Sequence, residues 1–383
     1  MKPFTRLAAA GALSLAVVAS FAAPALAQPA AAARPAGIRG ADNAVFVQTD
    51  DPAGNAVVAY HRGGDGSLTL AGTYATGGNG GVLAGSVVDH LASQGSLTYD
   101  AEHGLLFAVN AGSNSLTVFA VRGDRLALRQ VLRSGGPFPV SVAVHDDLVY
   151  VLNARGGGSV LGYRIFRDQV LPIGGSRRAL GLDPSATPEF VNTPGQVAFT
   201  PDGSQVIVTT KANGSSIDVF RVKRSGTLSA TPVVNAEPSA VPFAVTFDGD
   251  RNLVVAEAGT NSLATFAVHN DGTIAPLDAI ATGQAATCWI ASANGQFYAS
   301  NAGSASVSRF ASGHGGSLSL LDATTTDAGT VDAAASADGA ALYVQTGANG
   351  IVDEFHVNAD GSLTPIGSVT VADGIGGEGI VAI

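Results

Sequence analysis

Asp50 and Asp51 aside, three charged side chains stand where the other copies of a recurring stretch are neutral. Glu257, Lys211 and Arg155 each end, or closely follow, the same recurring stretch of sequence. The residues ending that stretch are Thr49, Asn110, Asn153, Thr210, Glu257, Asn301 and Thr346, so one carboxylate sits among hydroxyls and amides. A carboxylate near cations can take a proton or orient water, while the cations hold a substrate carboxylate or a developing oxyanion. Glu257, Arg155 and Lys211 are the candidate catalytic set, set against the commoner role of such groups as solvated ion pairs. Asn110, Asn153, Gln196, Trp289 and Asn301 are the candidate ligand-binding set: amides to hydrogen-bond a polar ligand and an indole to stack on a ring. Cys288 has no adjacent His and reads as a small buried hydrophobe. Of the seven His, only His90, beside Asp89, is placed to reach the same region. No spacing of metal ligands, no phosphate-binding glycine loop and no nucleophile elbow is present, so neither a metal nor a cofactor is expected.

The elements that must gather these residues are strands. Residues 105–121, LLFAVNAGSNSLTVFAV, alternate apolar and small residues, break at a Gly/Asn/Ser loop, then resume. That is the pattern of two antiparallel strands. The phrase recurs from Val45, Val149, Val206, Leu253, Phe297 and Leu342, with successive ends 61, 43, 57, 47, 44 and 45 residues apart. A β-rich repeat of 40 to 50 residues predicts a propeller. Each copy is preceded by a short apolar strand, for example residues 141–144, 196–199 and 289–292. Each is followed by a turn such as Asp65-Gly66 or Asp360-Gly361 and an outer strand. The first copy lacks its preceding strand, and the chain ends in a spare one, residues 379–383. The expectation is an all-β, seven-bladed β-propeller with four-stranded blades, closed by the C-terminal strand completing the first blade. Closure removes the two open sheet edges.

Loops before innermost strands and after second strands then share one face and surround a central channel, where the candidate residues converge. Two insertions, residues 77–92 and 177–193, lie in loops of that set. They read either as spacers or as binding loops on a rigid scaffold.

Lys2 and Arg6, the apolar run to Ala25 and the small-x-small site at residues 25–27 read as a signal peptide over 1–27. Residues 28–40 are Ala/Pro-rich and read as a disordered linker, and 41–383 as the single propeller. The protein is expected to be secreted or periplasmic and not to insert in a membrane after cleavage. Removing Lys2 and Arg6 takes a formal net charge of −10 to −12. That balance disfavours nucleic acid and anionic membrane as partners. The expected partner is a small-molecule ligand such as a sugar, and the protein is expected to be a monomer. A single cysteine excludes an intrachain disulfide.

Residues 109–119 (VNAGSNSLTVF), 193–209 (TPGQVAFTPDGSQVIVT), 287–310 and the DGSL turns resemble the lactonase-like seven-bladed propellers, which include 6-phosphogluconolactonase-like and carboxymuconate-cyclase-like proteins. The resemblance spans 43–383. It implies lactone hydrolysis or isomerisation in the channel. In the cyclase-like members, His and Arg follow a proline in the loops leading to innermost strands, and a Glu follows a second strand. Here the prolines stand at Pro139, Pro194 and Pro242 without that His/Arg set, while Arg155 and Glu257 could stand for the Arg and the Glu. The phrases ending at Asn110 and Asn153 also resemble surface-layer propellers. Two readings stay open: a secreted lactonase-like enzyme, and a non-catalytic extracytoplasmic binding or scaffold propeller.

Overall fold

The computed structural model describes residues 43–167 and 169–383; the leader and the linker read from 1–27 and 28–40 lie outside them. Seven antiparallel sheets form the molecule. From the axis outward, blade 1 holds Ile380–Ala382, Ala44–Gln48, Ala56–Arg62 and Leu68–Ala75. Blade 2 holds Leu97–Asp100, Leu105–Asn110, Ser115–Arg122 and Arg125–Arg133. Blade 3 holds Pro139–His145, Leu148–Asn153, Ser159–Phe166 and Gln169–Pro172, with the short Arg178–Ala179 added beside its third strand. Blade 4 holds Pro194–Phe199, Gln205–Thr210, Ser216–Arg221 and Val233–Ala236. Blade 5 holds Pro242–Phe247, Leu253–Glu257, Ser262–Val268 and Ile274–Ala281. Blade 6 holds Thr287–Ala293, Gln296–Asn301, Ser306–Ser312 and Leu318–Thr325. Blade 7 holds Thr330–Ala335, Ala341–Thr346, Ile351–Val357 and Leu363–Thr370.

The ring closes as expected. The last strand pairs with the first, Val45 opposite Ala382 and Val47 opposite Ile380. Each innermost strand packs on the next, and Ile380–Ala382 touches the innermost strands of blades 7 and 2. The second strands are buried along all or nearly all of their length, as in Leu105–Asn110 and Ala341–Thr346, because neighbouring blades cover both of their faces. This is why their apolar runs are nearly continuous, while outer strands such as Leu318–Thr325 bury little.

The recurring glycine turns have a packing reason. Tyr150, Tyr298 and Tyr343 on second strands each donate their hydroxyl to the carbonyl of a turn glycine in the following blade: Gly226, Gly361 and Gly66. The Tyr343 bond, 2.6 Å, joins blade 7 to blade 1. Gly66 adopts φ +88°, a conformation that favours glycine. Asp65 holds the same turn by accepting from the Ser67 amide and hydroxyl.

Candidate functional site

Lys211 begins the loop after the second strand of blade 4 and is 2 % exposed. An amine so far from water must find acceptors. Its Nζ donates to the carbonyls of Ala92 and of Phe190, the latter at 2.6 Å. Ala92 belongs to the first insertion and Phe190 to the second, so one side chain ties both to the ring. Phe190 lies in a single helical turn, Glu189–Asn192. The Glu189 carboxylate accepts from the Ala84 amide at 2.7 Å and from Arg155 Nε at 2.6 Å. Arg155 also stacks over the Phe138 ring at 4.2 Å.

The first insertion crosses the channel mouth instead of lining it. Its own Leu83 and Leu91 are buried, and the His90 amide donates to the Gly376 carbonyl in the segment leading to the closing strand. The Val88 carbonyl passes so close to Gly347 that a β-carbon there would overlap it. Gln94 reaches blade 6, where its amide donates to the Ile290 carbonyl and accepts from the Ile290 amide. The Trp289 indole N–H donates to the Ser93 carbonyl at 2.7 Å. The expected open central channel is thus filled at this mouth. The apolar side chains of the insertion take the place that water would occupy.

What remains is a cavity of ≈ 180 Å³ between the insertions and blades 4 to 6. Its walls include Val88, Phe190, Phe243, Cys288 and Trp289, with Lys211 and Asp89 at one side. Phe243 and Trp289 meet edge to face at 5.0 Å, and the Lys211 amine lies 5.2 Å over the Phe243 ring. Asp89 accepts from the amides of Leu91, Ala92 and Ser93 at 2.8 to 3.0 Å, which folds the insertion around its carboxylate. Burial pulls Lys211 down to about 7, against the opposing pull of Asp89. Burial likewise raises Asp89, against those backbone amides and Lys211. Cys288 is buried and pushed up to about 12 by desolvation, an unreactive thiol.

Beneath the insertion lies a second group of carboxyls, Asp50, Asp332 and Glu378, all shielded from water. The Glu378 amide donates to Asp50 at 2.8 Å, and its carboxylate accepts from the Gly95 amide at 2.9 Å. Asp332 accepts from the Ile380 amide of the closing strand at 3.4 Å. Burial pushes Asp50 up to about 8 and Glu378 well above the ordinary carboxyl range, with Asp332 and Asp89 adding repulsion on Glu378.

Of the candidate residues, Lys211 and Trp289 come together at the cavity. Glu257 is buried at the end of its strand and accepts from Ser262 Oγ at 2.8 Å and Thr260 Oγ1 at 3.1 Å; its neighbour Ala258 forms part of the cavity wall. Arg155 is at the rim with Glu189. Gln196 accepts from the Val245 amide at 2.6 Å and bridges blades 4 and 5. Asn110 is tied to Thr117 and Asn55, Asn301 to Thr287 and Ser308, and Asn153 to the Ser134 carbonyl. Asp89, Phe190 and Phe243 were absent from the candidate set. Asp89 carried only the weak signal of an acid beside His90, and the insertions have no periodicity from which to place the others.

Fold and site together define a propeller with one mouth covered by its own loops. The chain belongs to the seven-bladed β-propeller lactonase family, whose sequence pattern matches residues 83–375. Among solved structures it is similar to a putative 6-phosphogluconolactonase from Bacteroides fragilis, at 16 % identity over 91 % of this chain and 99 % of that one, TM-score 0.67. A periplasmic gluconolactonase from Pseudomonas aeruginosa is similar at 17 % identity over 88 % of this chain and 98 % of that one, TM-score 0.69. A protein from Lactobacillus plantarum has TM-score 0.70 at 17 % identity, over 88 % of this chain and 98 % of that one. No curated protein matches the sequence. Among the described residues, no helix is long and apolar enough to cross a membrane.

Proposed function

We propose that the protein works outside the cytoplasm as a lactone hydrolase, and that its substrate is a small, largely apolar lactone held in the cavity beneath the insertions. The observation that carries this reading is the placement of Lys211, with Asp89, at the wall of an otherwise apolar cavity of ≈ 180 Å³. An apolar cavity of about 150 Å³ holds one benzene-sized ring, so a single lactone ring matches the space. With Lys211 brought down to about 7, much of the amine is neutral near pH 7. Two N–H bonds then go to the Ala92 and Phe190 carbonyls, and the lone pair is free to act as a base. In the proposed step, water attacks the ring carbonyl as Lys211 takes its proton. The ring C–O bond breaks, and the departing alkoxide receives the proton from the Lys211 ammonium. Lactone and water become a hydroxy acid. Membership of the lactonase family supports the reaction class. The leader-like residues 1–27 support the location.

A second reading, binding without turnover, is favoured by one observation. The Trp289 N–H is engaged by Ser93 and the Lys211 donors by the insertions, so a developing oxyanion meets few donors. A panel of γ- and δ-lactones with and without alkyl chains separates the two. Acid release by the native protein, reduced at least about 100-fold in Lys211→Met, is the expected result. Thermal stabilisation by a lactone without acid release selects the binder. Neither response from any lactone removes the cavity from the function.

A further inference from the structure

The residue just before the innermost strand shows where the cover over the mouth ends. It is Phe138 in blade 3, Val241 in blade 5, Ala286 in blade 6 and Gly329 in blade 7. Its carbonyl accepts from the amide of the residue that follows the second strand: Ala154, Ala258, Ala302 and Gly347 in turn, at 2.7 to 3.1 Å. The backbone frame is the same in these four blades, and the side chains on it differ. The Phe138 ring fills its own place, close against Gly81 of the first insertion. Val88 of the same insertion lies against Gly329 and Gly347. Blades 5 and 6 carry only small apolar side chains there, Val241, Ala258, Ala286 and Ala302, each half-exposed or exposed.

All four belong to the wall of the cavity that holds Lys211 and Asp89. Its wall grades from dry to wet. Phe243, Cys288 and Trp289 are buried, Val241, Ala258 and Ala302 are half-exposed, and Ala286 is exposed. Val87, on the insertion, is 79 % exposed and completes the opening. The chamber therefore continues outward as an apolar lip. Ser86 is the one hydroxyl among its lining residues, and it donates to the Leu83 carbonyl at 2.8 Å. A ligand's hydroxyls would lose water here without gaining partners, whereas methylenes would lose nothing.

We propose that the substrate class of this site is a lactone ring bearing an alkyl tail, with the ring in the chamber and the tail along the lip of blades 5 and 6. The inference rests on the reading of the cavity as a lactone site, and adds which part of the ligand stays outside. A space of ≈ 180 Å³ holds one ring, so a tail has to leave it, and the exposed apolar side is the lip. The paired backbones of the lip are already in place, so the tail orders no loop when it binds. Full burial of one methylene is worth about 4-fold in affinity, and a lip open on one side gives about 2-fold.

Ring and tail can be read without chemistry by calorimetric titration of cyclohexanone and its 2-propyl and 2-pentyl derivatives, which have no ester to cleave. Affinity is expected to rise about 2-fold per methylene, about 30-fold for the pentyl tail. Ala286→Phe gives blade 6 the side chain that blade 3 already carries in the same left-handed conformation, φ +62° at Phe138 against +56° at Ala286. It is expected to fill the lip and cut the pentyl gain below about 5-fold. Val87→Asp, at an exposed position outside the core, sets a carboxylate beside the tail and is expected to reduce the gain likewise. Equal affinity along the ketone series, or the full gain in both variants, overturns the inference. Acid release from δ-valerolactone and δ-decalactone tests the hydrolase reading separately. Tail-dependent ketone binding without acid release keeps the lip and removes the hydrolysis. Acid release with no preference for δ-decalactone, or glucono-δ-lactone cleaved as fast as δ-decalactone, keeps the hydrolysis and removes the tail.

Discussion

At the residue scale, Lys211 does two jobs that pull in different directions. As a donor it fixes the insertions; as a neutral amine it has a lone pair for chemistry. The structural part is testable without a substrate. Lys211→Met leaves the Ala92 and Phe190 carbonyls without their donor and Asp89 without its nearby cation. Removing one member of such a buried set costs about 3 kcal/mol, since each stranded group keeps its desolvation penalty. Urea denaturation of the variant is expected to show that loss, and a change below about 0.5 kcal/mol would mean the insertions hold themselves. Reading charge against a neutral repeat found Lys211 in the sequence. The same reasoning singled out Glu257, which the fold engages with Ser262 and Thr260. An exceptional residue in a repeat marks a local requirement, and the letters do not say whether that requirement is a ligand or two hydroxyls.

At the element scale, strands were legible because each obeys a local rule. Apolar alternation and glycine turns set the second, third and outer strands, and a spare terminal strand matched a missing innermost one. The insertions obey no such rule. Their path over the mouth follows from Leu83, Leu91 and Phe190 finding apolar cover, and from Asp89 gathering three amides. Joints between blades were equally hidden, since the tyrosine and its glycine carbonyl lie far apart in the chain. Tyr343→Phe removes the hydroxyl at the seam where the ring closes and strands the Gly66 carbonyl. A loss of about 1–2 kcal/mol in chemical denaturation is expected. No measurable change would show that the seam relies on the Val45–Ala382 pairing alone.

At the scale of the whole molecule, the buried carboxyls make stability depend on pH in an unusual sense. Asp50, pushed up to about 8, and the raised Asp332 and Glu378 hold protons in the folded ring that the unfolded chain releases above about pH 4. The native state binds more protons between these limits, so stability is fullest near the unfolded value and falls as pH rises toward 8. Lys211 has the opposite sign. Its folded value lies below the unfolded one, so it restores stability above about pH 7 toward the ordinary amine range. The thermal midpoint is expected to fall from pH 5 to pH 8, and Asp50→Asn to flatten that fall. A midpoint that climbs over this interval would contradict the placement of the three carboxyls around the closing strand.

The sequence by itself determined the ring. Period-two alternation, glycine turns and the unpaired terminal strand are short-range signals, and seven copies of them leave closure as the way to cover every edge. Tertiary structure alone decided which distant groups share a dry space. Lys211 meets carbonyls of two insertions, and three carboxyls gather beneath one of them. Strand formation is governed by neighbours along the chain. Proton affinity and surface potential are set by burial and distance, which exist only once the chain has folded.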